Sequence, residues 1–160
     1  MRCMKCVYIL LFVAVLCGCA TAEERAARAA EQAAKVNKAL TERTFKIRAD
    51  RMYASRGGAK TLSYGYSVEV RNDSLISYLP YFGRAYDVPY GGGKGLNFSE
   101  RIGSYQESRK SNGRRCIEIG VRNDEDTYLY TIEVFENGSS TIRVQSRQRE
   151  SISYSGEMTF

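Results

Sequence analysis

Apolar residues recur with two different periods along this chain, and the change falls at Thr44. From there onward apolar and polar residues alternate, the spacing of a strand with one buried face. Phe45, Ile47 and Ala49 alternate with Lys46, Arg48 and Asp50, and Leu62, Tyr64, Tyr66, Val68 and Val70 alternate with Ser63, Gly65, Ser67 and Glu69. Ile117, Ile119 and Val121 follow the same rule, as do Tyr128, Tyr130, Ile132 and Val134, then Ile142 and Val144, then Ile152, Tyr154 and Met158. Asn72-Asp73, Asn112-Gly113 and Asn137-Gly138 fall between these runs, and the two Asn-Gly pairs predict type I′ hairpin turns. Short strands joined by tight turns predict a mainly β domain built as an antiparallel meander. A sheet with one apolar face must bury it, so about eight strands curl into a barrel-like or half-barrel sheet, or fold over as a β-sandwich.

Ahead of Thr44 the pattern is helical. Ala22 to Leu40 is alanine-rich, lacks Gly and Pro, and pairs Glu24 with Arg28 and Glu31 with Lys35 at i,i+4. A helix of that length spans about 28 Å at 1.5 Å per residue. Its large apolar groups are chiefly Val36 and Leu40, so it reads as a stalk, with a partner-binding helix as the alternative. Further upstream, Met1 to Lys5 carry two positive charges and Val7 to Leu16 form an apolar run. That run is too short to span a bilayer, which takes about 20 residues as a helix. Leu16-Cys17-Gly18-Cys19 then resembles a bacterial lipobox, in which the last cysteine accepts the lipid. The predicted organisation is a signal peptide over residues 1–18, a lipidated N-terminus and helical stalk over 19–41, and a β domain over 42–160. Ala20, in place of an inner-membrane-retaining aspartate, points to the outer membrane facing the periplasm. Glu23-Glu24 leaves surface exposure open, although two acids also suit a helix N-terminus.

These segments change what composition implies. Of five cysteines only Cys116 lies outside the signal and the lipidation site, so no intramolecular disulfide is expected in the mature chain. The chain has no histidine to activate that thiol, and alternation sets Cys116 opposite the isoleucines as a structural strand residue. The net charge of +6 falls to +4 once Arg2 and Lys5 are removed, and the remaining basic residues interleave with acidic ones. A mixed solvated surface follows, with no nucleic-acid partner.

One stretch breaks the alternation. Residues 78 to 98 hold both prolines, six aromatics and five glycines. Gly91 to Gly95 lacks the spacing, the Ser or Thr and the helix of a phosphate loop. Tyrosines around a flexible glycine loop can form a ligand site, or the rings can cap one end of the barrel. The candidate binding residues are Tyr78, Tyr81, Arg84, Tyr86, Tyr90 and Lys94. Asp124-Glu125-Asp126 is the densest acidic cluster, but it lacks the spacing of a calcium loop and reads as a polar turn. No catalytic residue, metal ligand or cofactor motif stands out.

Ser77-Tyr78-Leu79-Pro80-Tyr81-Phe82-Gly83-Arg84-Ala85-Tyr86, then Pro89-Tyr90-Gly91-Gly92-Gly93-Lys94-Gly95-Leu96-Asn97-Phe98, resemble the core signature of domain-of-unknown-function family 4251. Arg122 to Tyr128, Val144-Gln145-Ser146 and Arg149 to Gly156 resemble its later blocks, and the likeness covers roughly residues 36 to 158. The resemblance implies a lipoprotein or secreted protein of Bacteroides-like bacteria and brings no activity with it. The leading functional expectation is a lipid-anchored, non-enzymatic envelope module that binds a ligand or protein partner and touches the membrane through the lipid on Cys19. The alternatives are a carrier holding a lipid or apolar molecule inside the barrel, and a hydrolase using carboxylates.

Overall fold

The computed structural model describes residues 22–63, 65–86, 94–110 and 113–160. Helix α1 (Ala22–Thr41) has Glu23 and Glu24 in its first turn and Lys38 in its last, which suits the helix dipole. Residues 22–31 are exposed and belong to a separate unit from residues 32–160. Within the larger unit, Val36 and Leu40 of the helix are buried. Glu42 N–H bonds to Lys38 O, Arg43 N–H bonds to Leu40 O, and Arg43 takes a positive φ of 50° that turns the chain into the first strand.

Nine strands follow: β1 (Thr44–Ala54), β2 (Gly58–Thr61), β3 (Ser67–Arg71), β4 (Ser74–Leu79), β5 (Leu96–Arg109), β6 (Arg115–Arg122), β7 (Thr127–Val134), β8 (Ser139–Ser146) and β9 (Ile152–Thr159). From β3 to β9 each pairs antiparallel with the next, and β1 pairs with both β3 and β9. The sheet therefore closes into an eight-stranded antiparallel barrel, with β2 as an added strand on the distal half of β1. The barrel expectation holds, and the sandwich alternative does not.

Closure depends on an irregularity in β1. Its register with β9 shifts between Ala49 and Arg51. At the same place its other edge passes from β3, paired with Thr44 to Arg48, to β2, paired with Arg51 to Ala54. A bulge of this kind bends a strand and increases its twist, as barrel closure needs. The bend also explains why Leu62 to Val70 is not one strand. Val68 and Val70 are buried in β3, whereas Leu62 and Tyr66 precede it and are half-buried; Tyr64 lies outside the described residues.

The β7–β8 hairpin differs in detail from expectation. Asn137 has no positive φ, so Asn137-Gly138 is not a type I′ turn. Instead Gly138 N–H bonds to Phe135 O, Phe135 N–H bonds to Ser139 O, and Gly138 sits at φ 88°. That is the longer hairpin in which a turn is followed by a left-handed glycine. Gly113 makes the matching bond to Lys110 O at φ 79°, while Asn112 lies outside the described residues. Asn72-Asp73 joins β3 to β4, with Asn72 at φ 51°.

The inward residues of the strands form one core with Val36 and Leu40. Helix residues close one barrel end: Arg115 Nη1 donates to Asn37 Oδ1 (3.0 Å), and Asn72 N–H bonds to Arg43 O. The interior holds Tyr128, Tyr130 and Tyr154, all 1% exposed or less. Tyr130 donates to Ser77 Oγ at 3.0 Å and Tyr154 to Pro80 O at 2.8 Å, so these buried hydroxyls are satisfied. Cys116 is 7% exposed and paired across from Ser108 and Glu133, a covered strand position although its neighbour Ile117 faces the core.

Candidate functional site

The end of the barrel away from the helix is built by the β4–β5, β6–β7 and β8–β9 connections. Leu79 is the last buried residue of β4, and Pro80 takes the Tyr154 hydroxyl bond. Tyr81 then turns over the core, half-buried, with its one hydroxyl proton shared between Arg84 O (2.8 Å) and Glu150 O (3.1 Å). Burial, with the Glu150 carboxylate nearby, raises its pKa above the usual phenol value. Ala85 forms a β-bridge with Arg149; Tyr86 N–H bonds to Gln148 O (2.7 Å) and Glu150 N–H to Arg84 O (3.0 Å). The segment is pinned again on its return. Lys94 N–H bonds to Glu125 Oε1 (2.8 Å), its Nζ lies 3.2 Å from Asp124 Oδ2, and Tyr128 donates to Gly95 O (3.2 Å).

Both anchoring loops are organised by side-chain oxygens. Asn123 Oδ1 accepts from the amides of Glu125 and Asp126, an Asx turn that makes the acidic triplet the polar turn expected. Asp126, 8% exposed, accepts from the amides of Thr127, Arg147 and Gln148, tying the β6–β7 turn to the β8–β9 loop. Arg149 Nη2 faces Glu125 Oε2 at 3.6 Å with both side chains almost covered, and its guanidinium lies 5.4 Å from the Tyr81 ring centre. Such a pair is costly to bury and costlier to break, because one partner alone is an uncompensated charge. Its role here is to tie the β6–β7 turn to the β4–β5 and β8–β9 loops, which the Ala85–Arg149 bridge already joins to each other.

The predicted residues thus part into two groups. Tyr81, Arg84 and Lys94 hold the loop: Tyr81 by its hydroxyl, Arg84 by its backbone, and Lys94 by amide and ammonium. Tyr78 and Tyr86 point outward, 53% and 69% exposed. Tyr90 and Cys19 lie outside the described residues, as does the rest of 87–93. The structure adds three neighbours. Phe82 is half exposed, with Lys60 Nζ 3.6 Å from its ring centre, and Tyr66 stacks on Tyr78 with centroids 5.4 Å apart at 22°. Arg149 is the third, and nothing in its local sequence distinguishes a buried arginine from a solvated one. Phe82 lies inside the aromatic stretch, whereas Tyr66, half-buried against the core as alternation expects, also stacks on the outward Tyr78.

The model of the family described as Domain of unknown function (DUF4251) matches residues 27–158. The chain belongs to this family. It is also similar in fold to a DUF4251 family protein from Bacteroides eggerthii DSM 20697, solved by crystallography at 1.95 Å resolution. The TM-score is 0.61 at 12% identity, over 79% of this chain and 86% of that one. No curated protein matches. The DUF4251 match takes in the helix from residue 27 onward and all nine strands except the last residue of β9.

Proposed function

We propose that this DUF4251 protein is a lipid-anchored, non-enzymatic binding module of the bacterial cell envelope, with its ligand-facing surface on the barrel end that carries Tyr78, Phe82 and Tyr86. The observation that supports it is a contrast within one short stretch. Its backbone is bonded to the β8–β9 loop at residues 84, 85 and 86, yet its aromatic side chains at 78, 82 and 86 are half or more exposed. Exposed rings on a fixed backbone lose little conformational freedom when a partner covers them, the usual situation of interface aromatics. The anchor reading is supported by Leu16-Cys17-Gly18-Cys19 after a short apolar run.

The alternatives draw less support. Three fully buried tyrosines fill part of the barrel interior where a carrier would hold its cargo. Among the acids of the loop end, Asp126 is engaged by three backbone amides and Glu125 by Lys94 and Arg149. A carboxylate so occupied is a poor proton shuttle.

The test has two arms. Cys19→Ser should abolish palmitate labelling and move the protein out of the membrane fraction; unchanged labelling would sink the anchor. A photoreactive amino acid at position 82 or 86 should capture a specific envelope component in living cells, while the same group on the outer face of β8 at Arg143 should not. Equal capture at all three sites would sink the binding surface.

A further inference from the structure

A groove of about 240 Å³ lies on the outer face of the barrel where β9, β1 and the start of β3 meet, lined by Lys46, Arg48, Gly65, Tyr66, Ser67 and Thr159. It adjoins the proposed face directly, because Tyr66 is both its aromatic wall and the ring stacked on Tyr78. Drug-sized ligands occupy roughly 300–1,000 Å³, so this groove suits one small cyclic unit.

Three properties narrow the chemistry. The wall is held in place: Tyr66 packs on Tyr78, and its carbonyl accepts the Ala49 amide at 2.9 Å. The cations at the rim are already neutralised. Arg48 pairs with Asp50 (2.9 Å) and Glu157 (3.9 Å), and Lys46 lies 3.8 Å from Glu69, which Arg71 also contacts. An anionic ligand would meet those three carboxylates, so charge balance favours a neutral one. Finally, the Lys46 ammonium, the Arg48 guanidinium and the hydroxyls of Ser67 and Thr159 line the groove beside one aromatic ring. Alternating donors and acceptors of this kind match the hydroxyls of a sugar, and a tyrosine ring matches its C–H face. The groove beside Phe135 offers a ring too, but Arg114 already lies over that ring at 5.4 Å from its centre.

We propose that the Tyr66 groove is a carbohydrate subsite that takes one neutral pyranose ring against Tyr66, with Lys46 and Arg48 bonding its hydroxyls and Tyr78 meeting the next unit of the chain. This rests on reading the Tyr78 side of the barrel as the ligand face, and it names the ligand class for that face.

Binding is read by isothermal titration calorimetry, because the chain's twelve tyrosines share one emission band. The full-length protein in detergent is titrated with maltohexaose, cellohexaose, mannohexaose and xylohexaose. Saturable binding of at least one is expected, weakened tenfold or more by Tyr66→Ala, severalfold by Lys46→Ala, and little by Tyr66→Phe. Should Tyr66→Ala fail to fold, Lys46→Ala and Thr159→Ala carry the same test. Binding that survives the groove variants but is lost in Tyr86→Ala would overturn the subsite and leave the broader face standing. If none of the four sugars binds while position 86 still captures a protein in cells, the carbohydrate assignment falls and the face again stands. Failure of both measurements would overturn the two readings together.

Discussion

Gly156 and Arg48 meet backbone to backbone at the seam that closes the barrel. Gly156 pairs with Ala49 across the β1–β9 ladder, beside the register shift, and a Cβ placed on it would run into the carbonyl of Arg48. The obstacle is main chain on both sides, so no side-chain rotation relieves it. Gly156→Ala should therefore cost about 3 kcal/mol or more, at the upper end of what overpacking does. For a chain of this size that lowers the melting temperature by on the order of 10 °C. A melting temperature within 2 °C of wild type would show that the seam has slack the close approach does not suggest.

The Ser77–Tyr130 hydrogen bond crosses the core between β4 and β7, with both residues 2% exposed or less. Ser77→Ala strands a buried phenol hydroxyl and should cost about 1–3 kcal/mol. Tyr130→Phe removes the other partner, and the double variant should cost less than the two single changes added together. Urea unfolding of all four proteins gives the coupling, expected at about 1 kcal/mol. Strict additivity would mean that the two hydroxyls do not depend on each other.

Alkaline pH should separate the tyrosines into two classes. Burial raises the pKa of Tyr130 and Tyr154 above 10.0, so the folded protein holds those protons more tightly than the unfolded chain. Their contribution is complete below pH 10 and is lost as pH climbs above it, because the unfolded state then releases protons the folded state keeps. Absorbance at the phenolate band should rise first for exposed rings, with the remainder appearing only as the fold is lost. A single transition with the circular dichroism unchanged would contradict this.

Tyr81 and Tyr86 sit five positions apart and should respond oppositely to removal. Tyr81→Ala removes the hydroxyl shared by two loop carbonyls and uncovers the Arg149 guanidinium, so it should destabilise by about 2–3 kcal/mol. Tyr86 is 69% exposed, and its backbone bond to Gln148 survives substitution, so Tyr86→Ala should stay within about 0.5 kcal/mol. Thermal melts of the two variants decide the matter. Equal losses would mean that Tyr86 is part of the loop's packing.

Period-two alternation alone located the inward sets of β1, β6, β7, β8 and β9, because a strand with one buried face writes that face into every second residue. Val36 and Leu40 were legible in the same way, as the large apolar groups of an alanine-rich helix. β5 was not, since Ile102 and Tyr105, its apolar side chains beyond Phe98, lie three positions apart across a register shift against β6. Within the site, composition singled out the aromatic stretch but not the fate of each ring. Tyr81 is covered and Tyr86 exposed because residues 148–150, more than sixty positions downstream, lie beside one and leave the other bare. Arg149 opposite Glu125 and β1 closing on β9 are likewise meetings between distant parts of the chain. Local pattern determines which face of a strand is apolar. Only closure of the sheet decides which strands become neighbours at its seam, and so which polar side chains are buried at its mouth and which rings are left to face solvent.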